Sequence, residues 1–265
     1  MSLLADLHNH YCLSPCGSLE LSPLMLADTA AQRGINVLAL TDHNSSLNCP
    51  AFAKLCPPRG ILPLFGMEAT TNEEIHILCL FSNLEASLAF SEYAYSILMP
   101  FPNDPAKGGD QVYVDEENNI EGEVEYYLIG PLDISIDHIG AKVSEYSGIV
   151  IPAHLDKQAF SMTSQLGVVV PGPWAALECI RIPPLCGLPA ADTKLLDTLG
   201  YPLITSSDAH YPEHIARRPF ILDSSLEELA PNGLSGGADL CALKKALKRS
   251  LTDPQVPFPP LQAAL

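Results

Sequence analysis

The sequence contains few basic residues for its length. Its 265 residues include 14 lysines and arginines against 31 aspartates and glutamates, so the formal net charge at pH 7 is −17. Because nucleic-acid binding relies on lysine and arginine contacts to phosphates, this balance argues against an extended nucleic-acid interface. It also argues against attachment to a membrane through a basic face. We therefore expect neither kind of partner.

Segments for targeting and membrane insertion are also lacking. No apolar run reaches the about 18 residues that a transmembrane helix needs, and the first residues carry no basic stretch of the kind that begins a signal peptide. The eight cysteines show no paired spacing, so we expect reduced thiols rather than a disulfide framework. A glycine-rich phosphate loop is missing as well, which excludes nucleotide hydrolysis of the P-loop kind. These absences favour a cytoplasmic protein.

The hydrophobic content of 47% is enough for a sizeable core. Seven apolar runs are predicted as strands, at residues 3–7, 36–40, 61–65, 75–81, 149–151, 176–180 and 202–205. Helical segments lie between them, and several of the runs are continuous rather than alternating, which is typical of strands covered on both faces. The alternation predicts an α/β fold with a mainly parallel sheet, closed or open.

Two stretches interrupt this alternation. Residues 101–127 contain prolines and glycines, and six acidic residues lie between positions 115 and 125. We predict an acidic, hairpin-like insertion with strands at 111–115 and 124–129. Residues 253–265 contain four prolines and are predicted to form a proline-rich tail. The remaining sequence predicts a single domain over residues 1–252.

Histidines mark the ends of the predicted strands. Five of the eight lie at or just beyond such an end, and they are His8, His10, His43, His154 and His210. Acidic residues occupy similar places, namely Asp6, Asp42, Glu68 and Asp208. In a parallel α/β sheet the carboxyl ends of the strands open on one face, so these side chains should converge. Neutral imidazoles and carboxylates are the ligands of divalent cations, and the pattern therefore predicts a centre with more than one metal ion.

Local spacing supports this interpretation. His8 and His10 are two residues apart on an extended chain, so both face one side; Asp6 shares that side, and we expect it to orient a histidine ring. Asp208 and His210 repeat the spacing near the other end of the sequence. Strand-end histidines that only cap loops would explain any single member of the set, but they explain the whole set poorly.

Taken in order, the motifs resemble the PHP (polymerase and histidinol phosphatase) family of metal-dependent phosphoesterases. The resemblance covers roughly residues 3–225 and rests on Asp6-Leu7-His8-Asn9-His10, Leu40-Thr41-Asp42-His43, Gly66-Met67-Glu68, Ile75-His76-Ile77-Leu78, Pro152-Ala153-His154 and Ser206-Ser207-Asp208-Ala209-His210. It implies a distorted seven-stranded (βα)7 TIM-like barrel. It also implies that His76 is a ligand, for which strand-end position alone argues only weakly.

The resemblance further implies two or three divalent ions, of zinc, manganese or iron. One ion would be held by His8, His10, Glu68 and Asp208, and a second by Glu68, His76 and His154. A third would use His43 and His210, with its remaining ligand near Pro15 and Cys16. Proline cannot coordinate, whereas Cys16 as a thiolate would favour zinc. The alternative is a centre with two ions only.

The activity that the resemblance implies is hydrolysis of a phosphate ester of a small phosphorylated metabolite or nucleotide by a metal-bound hydroxide. Glu68, Asp208 and His210 are the predicted catalytic residues, with His210, or Asp208 through water, protonating the leaving group. Lys157 and Arg181 are predicted to bind the phosphate oxygens, although either also fits an ordinary surface cation.

Two other functions fit parts of the pattern. An amidohydrolase-like metal-dependent hydrolase also begins with two histidines after its first strand, but it usually has a carbamylated lysine where Glu68 would bridge the metals. A non-catalytic metal-binding regulatory module would keep the ligands without the reaction. A phosphatase assay of the metal-loaded protein against its Glu68→Ala variant separates this module from an enzyme.

Overall fold

The computed structural model of the protein describes residues 2–180 and 198–250. Its strands are β1 (Ser2–Asp6), β2 (Val37–Leu40), β3 (Leu62–Thr70), β4 (His76–Phe81), β5 (Val112–Val114), β6 (Ile120–Glu123), β7 (Ile149–Pro152), β8 (Leu177–Glu178), β9 (Leu203–Ile204) and β10 (Phe220–Asp223). Its α-helices are α1 (Pro23–Gln32), α2 (Cys49–Leu55), α3 (Leu84–Ser96), α4 (Pro105–Gly108), α5 (Ile136–Glu145), α6 (Met162–Leu166), α7 (Leu226–Leu229) and α8 (Leu240–Ser250). Short 3-10 turns cover Pro57–Arg59, Pro212–His214 and Leu234–Gly236.

Six strands form the main sheet, in the order β10-β1-β2-β3-β4-β7. The pairs β1–β2 and β2–β3 are parallel, whereas β1–β10, β3–β4 and β4–β7 are antiparallel. The prediction of a mainly parallel sheet is therefore wrong. One reason is the connection between β3 and β4, residues 71–75, which is too short for the crossover that parallel neighbours require.

The sheet curls into a half-barrel, and the predicted barrel of seven strands is not confirmed. The two remaining predicted strands, β8 and β9, form a separate parallel pair. Single parallel bridges link this side of the molecule to the main sheet, between Val150 and Trp174 and between Asn9 and Ala209. These bridges bring the segment after β9 beside the segment after β1, and this contact positions the site described below.

Every residue of β2, β3, β4 and β7 is buried. Helices cover the sheet, and their boundaries follow ordinary capping chemistry. Ser22 caps α1 by accepting a hydrogen bond from the Met25 amide, and Pro23 occupies the first helical position, as the sequence predicts. Asn83 caps α3 in the same way. The continuous apolar runs are therefore explained by burial on both faces of the sheet.

The acidic hairpin is present between α4 and α5. Its strands β5 and β6 pair in antiparallel fashion, so the second strand lies at 120–123 rather than at the predicted 124–129. The turn is tightened by Asp115, whose side chain accepts hydrogen bonds from the amides of Glu117 and Asn119. Because Asp115 binds these turn amides, the chain reverses early, and the return strand begins before the position that hydrophobicity predicts.

Two sequence predictions lie outside the described residues: Arg181 and the tail at 253–265. Within the described residues, no helix combines the length and the apolar character that crossing a membrane requires.

Candidate metal centre

The predicted ligands meet at one end of the curled sheet. His8 and His10 follow β1, His43 follows β2, and Glu68 lies near the end of β3, where a parallel bridge joins it to His43. His154 follows β7, and the segment carrying Asp208 and His210 follows β9. The Asp208 amide donates to the His8 carbonyl at 2.8 Å, and the His10 amide donates to the Ala209 carbonyl at 2.9 Å. The backbone thus holds the two distant parts of the chain together.

Glu68 is the centre of the cluster. Its Oε1 lies 2.9 Å from His76 Nδ1, 2.9 Å from His154 Nε2 and 3.3 Å from His8 Nε2. Its Oε2 lies 3.2 Å from His43 Nδ1 and 3.3 Å from His10 Nε2. One buried carboxylate therefore divides five imidazoles between its two oxygens, which is the geometry of a bridging ligand.

Asp208 borders the cluster on the side of β9. Its Oδ1 lies 3.5 Å from both His8 Nε2 and His10 Nε2 and 3.4 Å from His210 Nδ1. Its Oδ2 accepts a hydrogen bond of 2.5 Å from Lys157 Nζ. Lys157 is thereby placed beside the cluster, as a cation bound to one of the candidate ligands.

His76 reaches the cluster because β4 runs antiparallel to β3. Thr70 pairs with His76 and Glu68 with Leu78, so the first residue of β4 lies beside the carboxyl end of β3. The antiparallel β7 then brings its own carboxyl end to the same place, with Pro152 opposite Ile77. A rule based only on parallel strand ends misses His76 for this reason, and the hairpin-length connection after β3 is the signal that would have found it.

Glu178 is a site residue that the sequence reasoning missed. Its Oε2 lies 2.9 Å from His8 Nδ1 and accepts a hydrogen bond of 2.9 Å from the His154 amide. Asp6, which we expected to orient a histidine ring, instead accepts a hydrogen bond from the Ser207 amide. The orienting carboxylate thus comes from β8, across the cluster, and its only signal was an acidic residue inside the predicted strand at 176–180.

A second support lies under His10. His10 Nδ1 lies 3.0 Å from Ser14 Oγ, which donates to Asp42 Oδ1 at 2.7 Å. Asp42 also accepts a hydrogen bond from the Tyr11 amide. Asp42 therefore fixes the loop after β1 and acts on His10 through Ser14, without entering the cluster itself.

The loops that carry the ligands have an unusual backbone. His154 and Asp208 have positive φ angles of 31° and 48°, a region that side-chain-bearing residues rarely adopt. Two arginines hold the second loop in place. Arg217 donates to the Ser207 carbonyl, and Arg218 donates to the carbonyls of Ser206 and Ser207. These contacts stabilise the conformation that points Asp208 at the histidines.

Burial and neighbouring charges shift the pKa values within the cluster. Burial opposes ionisation of Glu68, but the surrounding histidines, His76 and His8 first, hold its pKa well below its usual range. Burial and the neighbouring His10 lower the pKa of His43 well below its usual value, and they lower that of His210 to about 4. Against the effect of burial, Glu178 and Glu68 raise the pKa of His8 well above its usual value, and Asp208 and Glu68 raise that of His10. The cluster therefore combines an ionised carboxylate with neutral imidazoles at His43 and His210, and these are the forms that bind divalent metals.

The unsatisfied atoms of the cluster fit metal ions. His43 Nδ1, His76 Nδ1 and Asp208 Oδ1 are buried without a hydrogen-bond partner, although each faces an oxygen or nitrogen of the cluster. The Nε2 atoms of His8 and His10 lie 3.0 Å apart. Buried polar atoms without partners are costly. Divalent ions would satisfy these atoms together, so the residues present fit such a group.

Within the described part of the chain, three groups place their ligand atoms within 4.8 Å of one another. These groups are His8-His10-Glu68, His43-Glu68-His76 and His10-His43-His210. Cys16 joins none of these groups. This residue is exposed at the surface. In the third group His10 accompanies His43 and His210, whereas the sequence analysis considered Cys16 as their remaining partner.

An α/β fold with a cluster of histidines and carboxylates at one end of its sheet has the residues that a metal-binding protein requires. The family model of the PHP domain matches residues 6–136, and the chain belongs to this family. PHP proteins include metal-dependent phosphoesterases. None of the curated proteins matches the chain.

Solved structures share the fold at low sequence identity. A protein assigned as a metal-dependent phosphoesterase from Bifidobacterium adolescentis ATCC 15703 has a TM-score of 0.54 and 17% identity, over 93% of this chain and 96% of that one. The lesion-specific endonuclease PfuEndoQ from Pyrococcus furiosus has a TM-score of 0.55 and 17% identity, over 94% of this chain and 56% of that one. The chain thus spans little more than half the length of PfuEndoQ.

The acidic composition led us to expect no binding of nucleic acid, and this expectation is wrong. Endonuclease Q, in complex with a 27-mer duplex that has an abasic lesion at the active site, aligns with a TM-score of 0.56, 16% identity and coverage of 94% of this chain and 57% of that one. A protein with this fold therefore binds duplex DNA. Net charge is a sum over the whole surface, whereas substrate binding depends on the charges around the site.

Proposed function

We propose that the protein hydrolyses phosphate esters with two or three divalent metal ions held at the cluster. The observation that carries this proposal is the position of Glu68, whose two oxygens are shared among five histidines. A carboxylate in this position holds two ions close together, and paired ions suit phosphoryl chemistry.

Eight residues would hold the ions. They are His8, His10, His43, Glu68, His76, His154, Asp208 and His210. When bound, the ions would lower the pKa of a coordinated water and neutralise charge on the phosphate. Zinc, manganese and iron all accept this donor set of imidazoles and carboxylates. Cys16 is not needed for any of the three groups of ligands.

Other residues of the site orient the candidate metal ligands or provide a positive charge for the substrate. Glu178 fixes the ring of His8, and Ser14 fixes that of His10, so both present Nε2 to the cluster. Lys157 provides a cation for the non-reacting phosphate oxygens. Its Asp208 partner and Glu68, acting against burial, raise the pKa of Lys157, so it is charged at neutral pH. A water held by Asp208 at the border of the cluster would pass a proton to the leaving group. His210, with a pKa of about 4, is neutral near pH 7 and would hold a metal ion rather than supply this proton.

The test compares wild-type protein with Glu68→Gln after removal of metals and reloading with zinc, manganese or iron. Phosphate release is measured from a nucleoside monophosphate and a sugar phosphate, alcohol release from a phosphodiester, and strand cleavage from an oligonucleotide with an abasic site, which separates small substrates from DNA. We expect Glu68→Gln to lower the rate at least about a hundredfold, because the shared ligand is lost.

Glu92→Gln serves as the matched control, because Glu92 is an exposed glutamate on α3. It should retain the wild-type rate. If metal-loaded wild type binds ions but hydrolyses none of these substrates, the protein is a metal-binding module rather than a phosphoesterase. Equal rates for wild type and Glu68→Gln would also contradict the proposal.

A further inference from the structure

The segment after His154 carries two more side chains to the mouth of the cluster. Lys157, three residues beyond His154, binds Asp208, and Phe160, three residues further, stacks on His76. The centroids of the Phe160 and His76 rings are 4.7 Å apart, with 22° between the ring planes. A cation and an aromatic ring thus lie side by side on one short segment at the edge of the centre.

This segment is held in place by its own hydrogen bonds. The His76 amide donates to the Phe160 carbonyl at 3.0 Å, and the Ser161 hydroxyl donates to the Lys157 carbonyl at 2.8 Å. Ser161 also caps α6. Phe160 itself has a φ of 57°, a strained conformation for a side-chain-bearing residue. The ring is therefore fixed rather than free to turn into the core.

Phe160 remains open to solvent. Its exposed fraction is 38%, whereas His76, against which one face of the ring is packed, is 5% exposed. Solvent therefore reaches the ring from the side away from His76. The open face of this ring, beside the cluster, offers a surface on which a ligand with a flat apolar face can stack.

We infer that Phe160 is a stacking platform for the substrate, and that preferred substrates are phosphate esters carrying a planar aromatic ring, as nucleoside phosphates do. This inference rests on the proposed function, since it places the phosphate at the cluster and Lys157. A neutral base avoids the repulsion that an acidic group would meet from Glu68 and Asp208. Aromatic stacking supplies affinity without recognising a particular base.

The alternative role of Phe160 is to shield His76 from water. Shielding would affect every substrate equally, whereas stacking affects only those with a ring. The experiment therefore measures KM and kcat for adenosine 5′-monophosphate and for glycerol phosphate with wild type, Phe160→Ala and Phe160→Trp. We expect Phe160→Ala to raise KM about tenfold for the nucleotide and to leave KM for glycerol phosphate unchanged. Phe160→Trp should restore the wild-type KM.

Phe101→Ala is the matched control, because Phe101 is 58% exposed and lies on the segment before α4. It should change neither KM. Equal changes for the two substrates in Phe160→Ala, or none, would overturn the platform. A 5′-phosphorylated trinucleotide, tested alongside, shows whether the ring belongs to a free nucleotide or to a strand end, and dependence on Phe160 in either case supports the inference.

Direct binding measurements distinguish a failure of the proposed hydrolysis from a failure of the proposed stacking on Phe160. Where the metal-loaded protein shows no turnover, calorimetry measures its Kd for adenosine 5′-monophosphate and for glycerol phosphate. If no substrate is hydrolysed, the proposed function fails. In that case a Kd for the nucleotide that rises about tenfold in Phe160→Ala still supports the platform, and an unchanged Kd overturns it.

Discussion

Carboxylates occupy two regions of this molecule in contrasting ways. In the metal centre, Glu68 and Glu178 are buried and face histidines. On the hairpin, Asp115 and Glu116 lie at the surface, where Asp115 binds turn residues and Glu116 pairs with Lys54. The net charge counts all four residues alike. The comparison shows that position and neighbours, rather than the total, decide what an acidic residue does.

The addition of metal should give the largest difference between a carboxylate variant in the candidate metal centre and one on the hairpin. At about a hundred times Kd, a divalent ion that binds only the folded protein should raise its melting temperature by about 5–10 °C. Glu116→Gln should show the full rise, and Glu68→Gln should lose most of it. Thermal unfolding of chelator-treated and metal-loaded samples measures this. A similar rise in wild type and Glu68→Gln would place the ions elsewhere.

Glu178→Gln tests a buried carboxylate that is not itself a proposed ligand. We expect metal affinity to fall about 10- to 100-fold, because a neutral amide no longer polarises the His8 ring. The glutamine oxygen can still accept the His154 amide, so folding should be preserved. Competition with a chromogenic chelator measures the affinity.

Glu123→Gln is the control for this comparison, since Glu123 is an exposed glutamate of the hairpin strand β6. If Glu178→Gln binds metal as tightly as Glu123→Gln, then the contact with His8 has no role in metal binding. Circular dichroism of both variants shows whether a loss of affinity reflects loss of structure.

The smallest expected effect is the difference between two lysine–carboxylate pairs, Lys157–Asp208 and Lys54–Glu116. Lys157→Ala should raise KM for a phosphate ester about tenfold, because a charge-assisted contact is lost. Lys54→Ala removes an exposed pair and should change neither KM nor the melting temperature measurably. Steady-state kinetics and thermal unfolding of the two variants give the comparison. An unchanged KM in Lys157→Ala would contradict its assignment to the phosphate.

Strand-end position predicted which side chains would cluster where each strand is followed by a loop at the same edge. His8, His10, His43, His154, Asp208 and His210 all follow predicted strands, and the structure brings them to one place. The reasoning was weaker for His76 and missed Glu178. His76 begins an antiparallel strand, and Glu178 acts through a contact across the cluster, which no local spacing encodes.

The strands themselves were more predictable than their pairing. All seven predicted runs overlap strands of the structure, because burial on both faces leaves continuous apolar sequence. Strand direction depends on connections, and the short link between β3 and β4 was not used to infer it. Strand β10 was not predicted, although it pairs with β1 at the edge of the sheet.

The contact between the segments after β1 and β9 also has a consequence for folding. The Leu7 amide donates to the Ser206 hydroxyl, a pair separated by 199 residues in the chain. Contacts of such long range are entropically expensive to close and tend to form late. During synthesis, the candidate ligands up to His76 emerge well before Asp208 and His210. A growing chain thus holds an incomplete set of candidate ligands until its last strands are made, and acquisition of the proposed metal ions would report completion of the fold.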